Sequence, residues 1–186
     1  QILKQVRQAL EIAQHKGSAR LLINELFQRS LRVGKRARAE TDIGRGRLSI
    51  STAAVELASQ VFEHIESCRA LLVGAGEMGE LTAQYLIDAG VAQLRVTNRT
   101  QARAEELAAR FGGEAVPFAA LTEQLAAVDI VITSTAATDP VIGHAELRTA
   151  MHQRRGRPLF LIDIAVPRDI DPQARTIDNV FLFDID

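Results

Sequence analysis

Apolar and polar positions follow two different periods along this chain. Ile2, Val6, Leu10 and Ala13 recur at helical spacing, and Leu22, Leu26, Leu31 and Val33 outline a second apolar stripe. His15-Lys16-Gly17-Ser18 separates the two, with Gly17 placed to end the first helix and Ser18 placed to cap the second. Thr41-Asp42-Ile43-Gly44-Arg45-Gly46-Arg47 then breaks the pattern and reads as a flexible hinge. Ser51 or Thr52 is expected to cap a third helix through Ala53, Val55, Leu57 and Val61.

From Arg69 onward, short apolar runs alternate with helical stretches. The pattern predicts strands at 70–73, 94–97, 114–116, 129–133, 159–163 and 179–183. Helices are predicted near 78–89, 101–110, 118–126 and 144–154. The runs Asp129-Ile130-Val131-Ile132-Thr133 and Leu159-Phe160-Leu161-Ile162-Asp163 are nearly all apolar, as strands covered on both faces must be. The expected fold class is therefore α/β, a Rossmann-like doubly wound parallel sheet at 67–186 preceded by an N-terminal helical segment at 1–66.

The most informative stretch is Leu71-Leu72-Val73-Gly74-Ala75-Gly76-Glu77-Met78-Gly79, where a buried-strand run breaks into Gly-x-Gly-x-x-Gly before a helix. In such a turn the first glycine permits the sharp bend, the second lets the backbone approach a pyrophosphate, and the third lets helix pack on strand. The helix N-terminus then offers free N–H groups and a positive dipole end to the phosphates. The bland alternative, a structural glycine turn, lacks a reason for the flanking strand and helix. Further along, the run Leu94-Arg95-Val96-Thr97 ends in Asn98-Arg99-Thr100, with no Asp or Glu where an NAD site would hold the ribose 2′-hydroxyl. Arg99 between Asn98 and Thr100 suits a 2′-phosphate instead, so NADP(H) is the expected cofactor. Arg99 also reads as a solvated charge, and Thr100 as a cap for the next helix.

Composition narrows the picture further. Of 186 residues, 47% are hydrophobic and 24% charged, ordinary values for a globular chain, and the formal net charge of −1 gives no global basic field for nucleic acid. No apolar run approaches a membrane span, the single cysteine excludes an internal disulfide framework, and a cytoplasmic location is expected. Four scattered histidines form no defensible metal site. Cys68, the only thiol, reads as a small buried hydrophobe rather than a nucleophile. Ser134 and Thr135 end a predicted strand, where they either bond the nicotinamide half of a cofactor or shape a turn. Asp163, Arg168 and Asp169 either form a structural ion pair and turn or face another domain across a cleft, and the second is slightly favoured.

Several motifs resemble those of glutamyl-tRNA reductase: Gln1-Ile2-Leu3-Lys4-Gln5-Val6, Leu26-Phe27-Gln28-Arg29, Val33-Gly34-Lys35-Arg36 and Thr41-Asp42-Ile43-Gly44-Arg45-Gly46. Gly74-Ala75-Gly76-Glu77, Asn98-Arg99-Thr100, Ser134-Thr135-Ala136 and Asp163-Ile164-Ala165-Val166-Pro167-Arg168-Asp169 belong to the same resemblance, which runs the length of the chain. It implies reduction of glutamyl-tRNA to glutamate 1-semialdehyde with NADPH, through a thioester on a cysteine upstream of Gln1, in the first step of tetrapyrrole synthesis. By the resemblance Gln1 and Gln5 line the substrate pocket, residues 74–79 bind NADP(H), and residues 1–66 hold a spinal helix and its connection. It also implies a homodimer through a further C-terminal domain and glutamate-1-semialdehyde aminomutase as a candidate partner. The basic residues Lys35, Arg36, Arg38, Arg45 and Arg47 read as a solvated face in preference to a tRNA contact. A shikimate-dehydrogenase-like oxidoreductase module and a non-catalytic NADP-sensing module are the alternatives.

Overall fold

The computed structural model describes residues 2–41 and 50–185, and the chain divides into two compact units, 1–47 and 48–186. The expected hinge, apart from Thr41, and the basic residues Arg45 and Arg47 lie outside the described residues, as does Gln1.

The first unit is a helical hairpin of α1 (Ile2–His15) and α2 (Leu21–Glu40). Gly17 ends α1 in the left-handed region, at φ +68, as its position predicts. Ser18 does not cap α2: its backbone N–H and hydroxyl both donate to Ala13 O, finishing α1 instead. Asn24 braces the turn, its side-chain amide donating to Ala19 O at 2.7 Å and accepting from Gln14 at 2.6 Å. Two helices cannot enclose a core, and Leu21, Leu22, Leu26 and Val33 stay exposed on the hairpin.

The second unit starts with α3 (Ile50–Val61) and continues as β1 (Arg69–Val73), α4 (Glu77–Asp88), β2 (Gln93–Thr97) and α5 (Gln101–Phe111). Then come β3 (Glu114–Ala115), α6 (Leu121–Ala127), β4 (Ile130–Thr133), α7 (His144–Arg154), β5 (Leu159–Asp163) and β6 (Val180–Asp184). All six strands are parallel, in the order β3-β2-β1-β4-β5-β6. Because side chains alternate across a strand, each apolar run feeds two cores. Leu72, Ile130, Ile132 and Ile162 face a core closed by α3, α4 and α5, while Leu71, Val131, Leu159 and Leu161 face one closed by α6 and α7.

The unit boundary falls between Arg47 and Leu48 rather than after residue 66, and packing gives the reason. Ala54 and Ala58 of α3 are fully buried in the same core as Leu72 and Leu86, so α3 is part of the sheet unit. Ser51 lies inside α3, buried, and shares a 2.7 Å hydrogen bond with the Thr82 hydroxyl of α4 in place of the expected capping role. The predicted helix at 118–126 is a 3-10 turn at Phe118–Ala120 followed by α6, and β3 is shorter than expected.

At the amino edge of the sheet a buried cation ties the layers together. The Arg154 side chain is 0% exposed. It donates to the carbonyls of Leu125 at 3.0 Å and Arg157 at 3.2 Å, and also to Val128 O and Pro158 O. Asp129 lies 3.6 Å from it and also pairs with Arg157 at 3.1 Å. Burial pushes the guanidinium down to about 10, so it keeps its charge at neutral pH, held by those carbonyls and Asp129. Arg154→Ala should therefore lower the unfolding free energy by about 3–5 kcal/mol in urea titrations. Arg157→Ala, which removes a half-exposed partner of the same Asp129, should cost about 1 kcal/mol or less. Equal, small losses would show that the buried cation is not what holds this edge.

Candidate dinucleotide site at the carboxyl edge

The strand register sets one row of residues across the carboxyl edge: Thr97, Val73, Thr133, Asp163 and Asp184. A cleft of about 410 Å³ opens above this row, lined by the turn after β1, by Asn98 and Arg99 after β2, and by residues 134–137 after β4. Phe118, Val141, Ile164, Ala165 and Val166 complete it. This is the edge at which doubly wound sheets take their ligands, where the crossovers diverge on either side of β1.

The glycine turn is shaped by what lies behind it. Gly74 adopts φ +96, and a Cβ there would stand 2.5 Å from Ser134 O. A Cβ on Gly76 would run into the Ser134 side chain and stand 2.8 Å from Ser134 O, and one on Gly79 would stand 2.5 Å from Ser134 Cβ and 3.1 Å from Leu72 Cδ1. The Gly76 N–H donates to Ser134 O at 3.1 Å, and Ser134 N–H donates to Val73 O at 2.9 Å. Gly76 is therefore required first by Ser134, whose side chain stands in the way ahead of its carbonyl. Gly79 serves helix-on-strand packing as its spacing predicts. Gly76 occupies the N-cap position of α4 and offers it no side-chain cap. Glu77 is exposed, whereas Met78 packs against the core under α4.

On the β2 side, Arg99 is exposed and lines the cleft beside Asn98, whose amide reaches Thr100 O at 3.4 Å. Thr100 occupies the N-cap position of α5 but makes no side-chain capping bond. The ion pairs nearby join Arg103 and Arg110 to Glu80 and do not involve Arg99.

On the β4 side, Ser134 is buried against the glycines. Thr135 N–H donates to Asp169 Oδ2 at 2.7 Å, its hydroxyl donates to Asp169 Oδ1, and the same hydroxyl accepts Ala137 N–H at 3.1 Å. Burial pushes the Asp169 carboxyl up, the two bonds from Thr135 pull it back down, and nearby Asp163 adds to the rise. Asp163 accepts from the Thr133 hydroxyl at 3.0 Å, Ala165 N–H at 3.1 Å and Ile170 N–H at 2.9 Å. The favoured expectation that Asp163 and Asp169 face another domain is thus corrected, because both are buried and bound to the loops that follow β4 and β5. Arg168 pairs with Asp184 at 3.5 Å, which also holds Arg175 at 2.7 Å.

Cys68 is buried before β1, and burial pushes its thiol up to about 11, with Asp129 and Glu66 adding to the rise. Gln5 is exposed on α1, in the other unit. Arg36 pairs with Glu40, and Lys35 is exposed. Among the described residues no cluster of His, Cys, Asp or Glu could hold a metal, and no helix is long and apolar enough to cross a membrane. The spacing argument missed the apolar wall of Phe118, Val141, Ile164 and Ala165. Its only signal was position just beyond a strand end.

Residues 56–186 match the model of the shikimate / quinate 5-dehydrogenase family, and residues 1–41 match that of the glutamyl-tRNAGlu reductase N-terminal domain. The chain is 48% identical over all 186 residues to a glutamyl-tRNA reductase of Maridesulfovibrio salexigens and covers 42% of it. It is 50% identical to one of Rubrobacter xylanophilus and covers 43% of it. The glutamyl-tRNA reductase structure from Methanopyrus kandleri superposes with a TM-score of 0.72 at 43% identity, over 99% of this chain and 46% of that one. The nucleotide-binding domain of a Thermoplasma volcanium glutamyl-tRNA reductase, 20% identical with a TM-score of 0.57 over 74% of this chain and 87% of that domain, shares the fold. The chain thus spans less than half the length of the curated relatives it matches. A whole-length match to these reductases, joined to a reductase N-terminal-domain match ahead of the dehydrogenase-type sheet, means that the chain belongs to the glutamyl-tRNA reductase family.

Proposed function

We propose that this chain is the NADPH-binding part of an enzyme that reduces glutamyl-tRNA(Glu) to glutamate 1-semialdehyde, opening tetrapyrrole synthesis in the cytoplasm. The observation that carries the reading is the juxtaposition, in one cleft, of the Gly74–Gly79 turn leading into α4, whose N-cap Gly76 has no side chain, and a strand-end Arg99 that pairs with no acid among the described residues. The first suits a pyrophosphate and the second a 2′-phosphate. Bound NADPH would supply a hydride. The chain's own residues would hold it: residues 74–79 at the pyrophosphate, Asn98, Arg99 and Thr100 at the adenosine 2′-phosphate, and the Ser134–Thr135 segment as the wall of the nicotinamide half.

In the whole protein the thioester-forming cysteine lies on another domain with the glutamate pocket, toward which Gln1 and Gln5 are assigned by resemblance. The homodimer and the aminomutase contact belong to that whole protein too. A shikimate-dehydrogenase-like activity draws support from the family match over 56–186, but the match of 1–41 to a reductase N-terminal domain favours the reductase.

Calorimetric titration of NADPH and NADH tests the cofactor assignment. The wild type should prefer NADPH, and Arg99→Ala should lose about 1.5–3 kcal/mol of NADPH binding with little change for NADH. Equal affinity of the wild type for both would remove Arg99 from the role. Gly76→Ala should weaken both cofactors by displacing Ser134, and a second change, Ser134→Ala, should recover part of the loss by removing the nearest obstructing atom. Strict additivity of the two changes would mean that the Ser134 contact is not the cause. The 186-residue chain alone, given NADPH and glutamyl-tRNA, should form no glutamate 1-semialdehyde, because its only thiol is buried and protonated at neutral pH. Product in that assay would reinstate Cys68 as a nucleophile.

A further inference from the structure

The cleft wall away from Arg99 is made by two loops, one after β4 and one after β5, and a single carboxylate joins them. Asp169 is 0% exposed. Its two oxygens take the N–H and the hydroxyl of Thr135, and that hydroxyl in turn accepts Ala137 N–H. The main chain extends the join: Asp169 O accepts from Val141 N–H at 2.7 Å and Ile142 N–H at 2.9 Å, and Asp171 N–H donates to Ile142 O at 3.0 Å. From the other side Asp163 fixes Ala165 and Ile170. With its hydroxyl committed in both directions, Thr135 offers the cleft its methyl group, which packs beside Gly74.

The direction of a bound dinucleotide follows from the fold. With the 2′-phosphate at Arg99, beyond β2, and the pyrophosphate at the turn after β1, the remaining half must extend over β4 and β5. There it meets Thr135, Ala136, Ile164 and Ala165. We infer that Asp169 is a positioning residue for the nicotinamide half, locking the loops after β4 and β5 into one fixed wall; this rests on the dinucleotide reading above. A carboxylate is needed because both Thr135 donors require an acceptor while the Thr135 oxygen is already accepting from Ala137. An amide at 169 presents one acceptor and one donor, so its NH₂ would oppose the Thr135 hydroxyl and displace either that bond or Ala137. Hydride transfer is sensitive to sub-ångström placement of the ring, so a loosened wall acts on the nicotinamide half before the adenosine half.

The test titrates NADPH and 2′-phospho-ADP-ribose, which keeps the adenosine and pyrophosphate but lacks nicotinamide, against the chain and three variants. Asp169→Asn and Thr135→Val should weaken NADPH about tenfold or more and 2′-phospho-ADP-ribose less than about threefold, whereas Thr135→Ser should stay near wild type. Amide exchange at Ala137, Val141 and Ile142 should quicken in Asp169→Asn while β1 and β4 keep their protection. If Asp169→Asn does not fold, the contrast between Thr135→Val and Thr135→Ser carries the comparison. Equal loss of both ligands, or undiminished NADPH binding by a folded variant, overturns the positioning role alone. Failure of the wild type to bind either ligand overturns the dinucleotide reading and this role with it.

Discussion

Everything at the carboxyl edge depends on how closely the turn after β1 approaches the residue after β4. Val73 and Thr133 are register partners in the sheet, and two further bonds carry that pairing past the strand ends, Ser134 N–H to Val73 O and Gly76 N–H to Ser134 O. The turn is drawn onto β4's extension until no side chain fits between them. Three glycines answer to one serine: 74, 76 and 79 would each drive a Cβ into Ser134. The glycine spacing usually attributed to a ligand is here imposed first by the protein's own Ser134, and the lack of a side-chain cap at Gly76 is its consequence. The proposed phosphate site would then be pre-formed by packing, with little left to reorganise when a ligand arrives.

The two edges of the sheet handle buried charge differently. At the amino edge a cation, Arg154, is satisfied by main-chain carbonyls and by Asp129, which also accepts the Arg69 N–H at 3.0 Å. That arrangement closes the ends of α6 and α7 against the sheet and leaves nothing for a ligand. At the carboxyl edge the buried groups are carboxylates, Asp163 and Asp169, satisfied by N–H and hydroxyl donors of the loops. A carboxylate can gather several donors from different segments, so it suits the task of fixing irregular loops where no strand or helix does so.

Much of this was legible in the sequence. The strand predicted at 159–163 and the helix at 144–154 match β5 and α7 residue for residue, and the other strands fall within one or two residues. Unbroken apolar runs leave a strand few alternatives when both faces are covered. The glycine turn and Arg99 were visible because each depends on local chemistry. What escaped detection depends on contacts distant in sequence. Ser51 seemed a cap until Thr82, 31 positions away, claimed its hydroxyl, and Ser18 finishes α1 rather than starting α2. Asp169 reads in the sequence as part of a turn or as a charge facing another domain, and only the fold brings Thr135 to it across 34 residues. The boundary of the sheet unit was missed for the same reason, since Ala54 and Ala58 are unremarkable in a helical stripe and become core only against Leu72 and Leu86.

The distribution of charge constrains how such a cleft can hold a polyanionic dinucleotide. With a formal net charge of −1 the chain generates no long-range attraction for phosphates, and at physiological salt an exposed charge acts over only about 8 Å. Affinity must then come from short-range geometry: amides at the α4 terminus, the planar fork of an Arg99 not engaged by Glu80, and an apolar wall. Glu80 is instead held by Arg103 and Arg110, which keeps that carboxylate from competing for Arg99. Arg99 sits exposed on a strand end, where a change of residue leaves the core untouched. The wall that would orient the reactive half is tied from behind by the buried carboxylates Asp163 and Asp169 and bonded from three segments. On the proposed reading, cofactor choice and cofactor placement would be set by physically independent parts of one cleft, the first open to substitution and the second tied to the stability of the loops themselves.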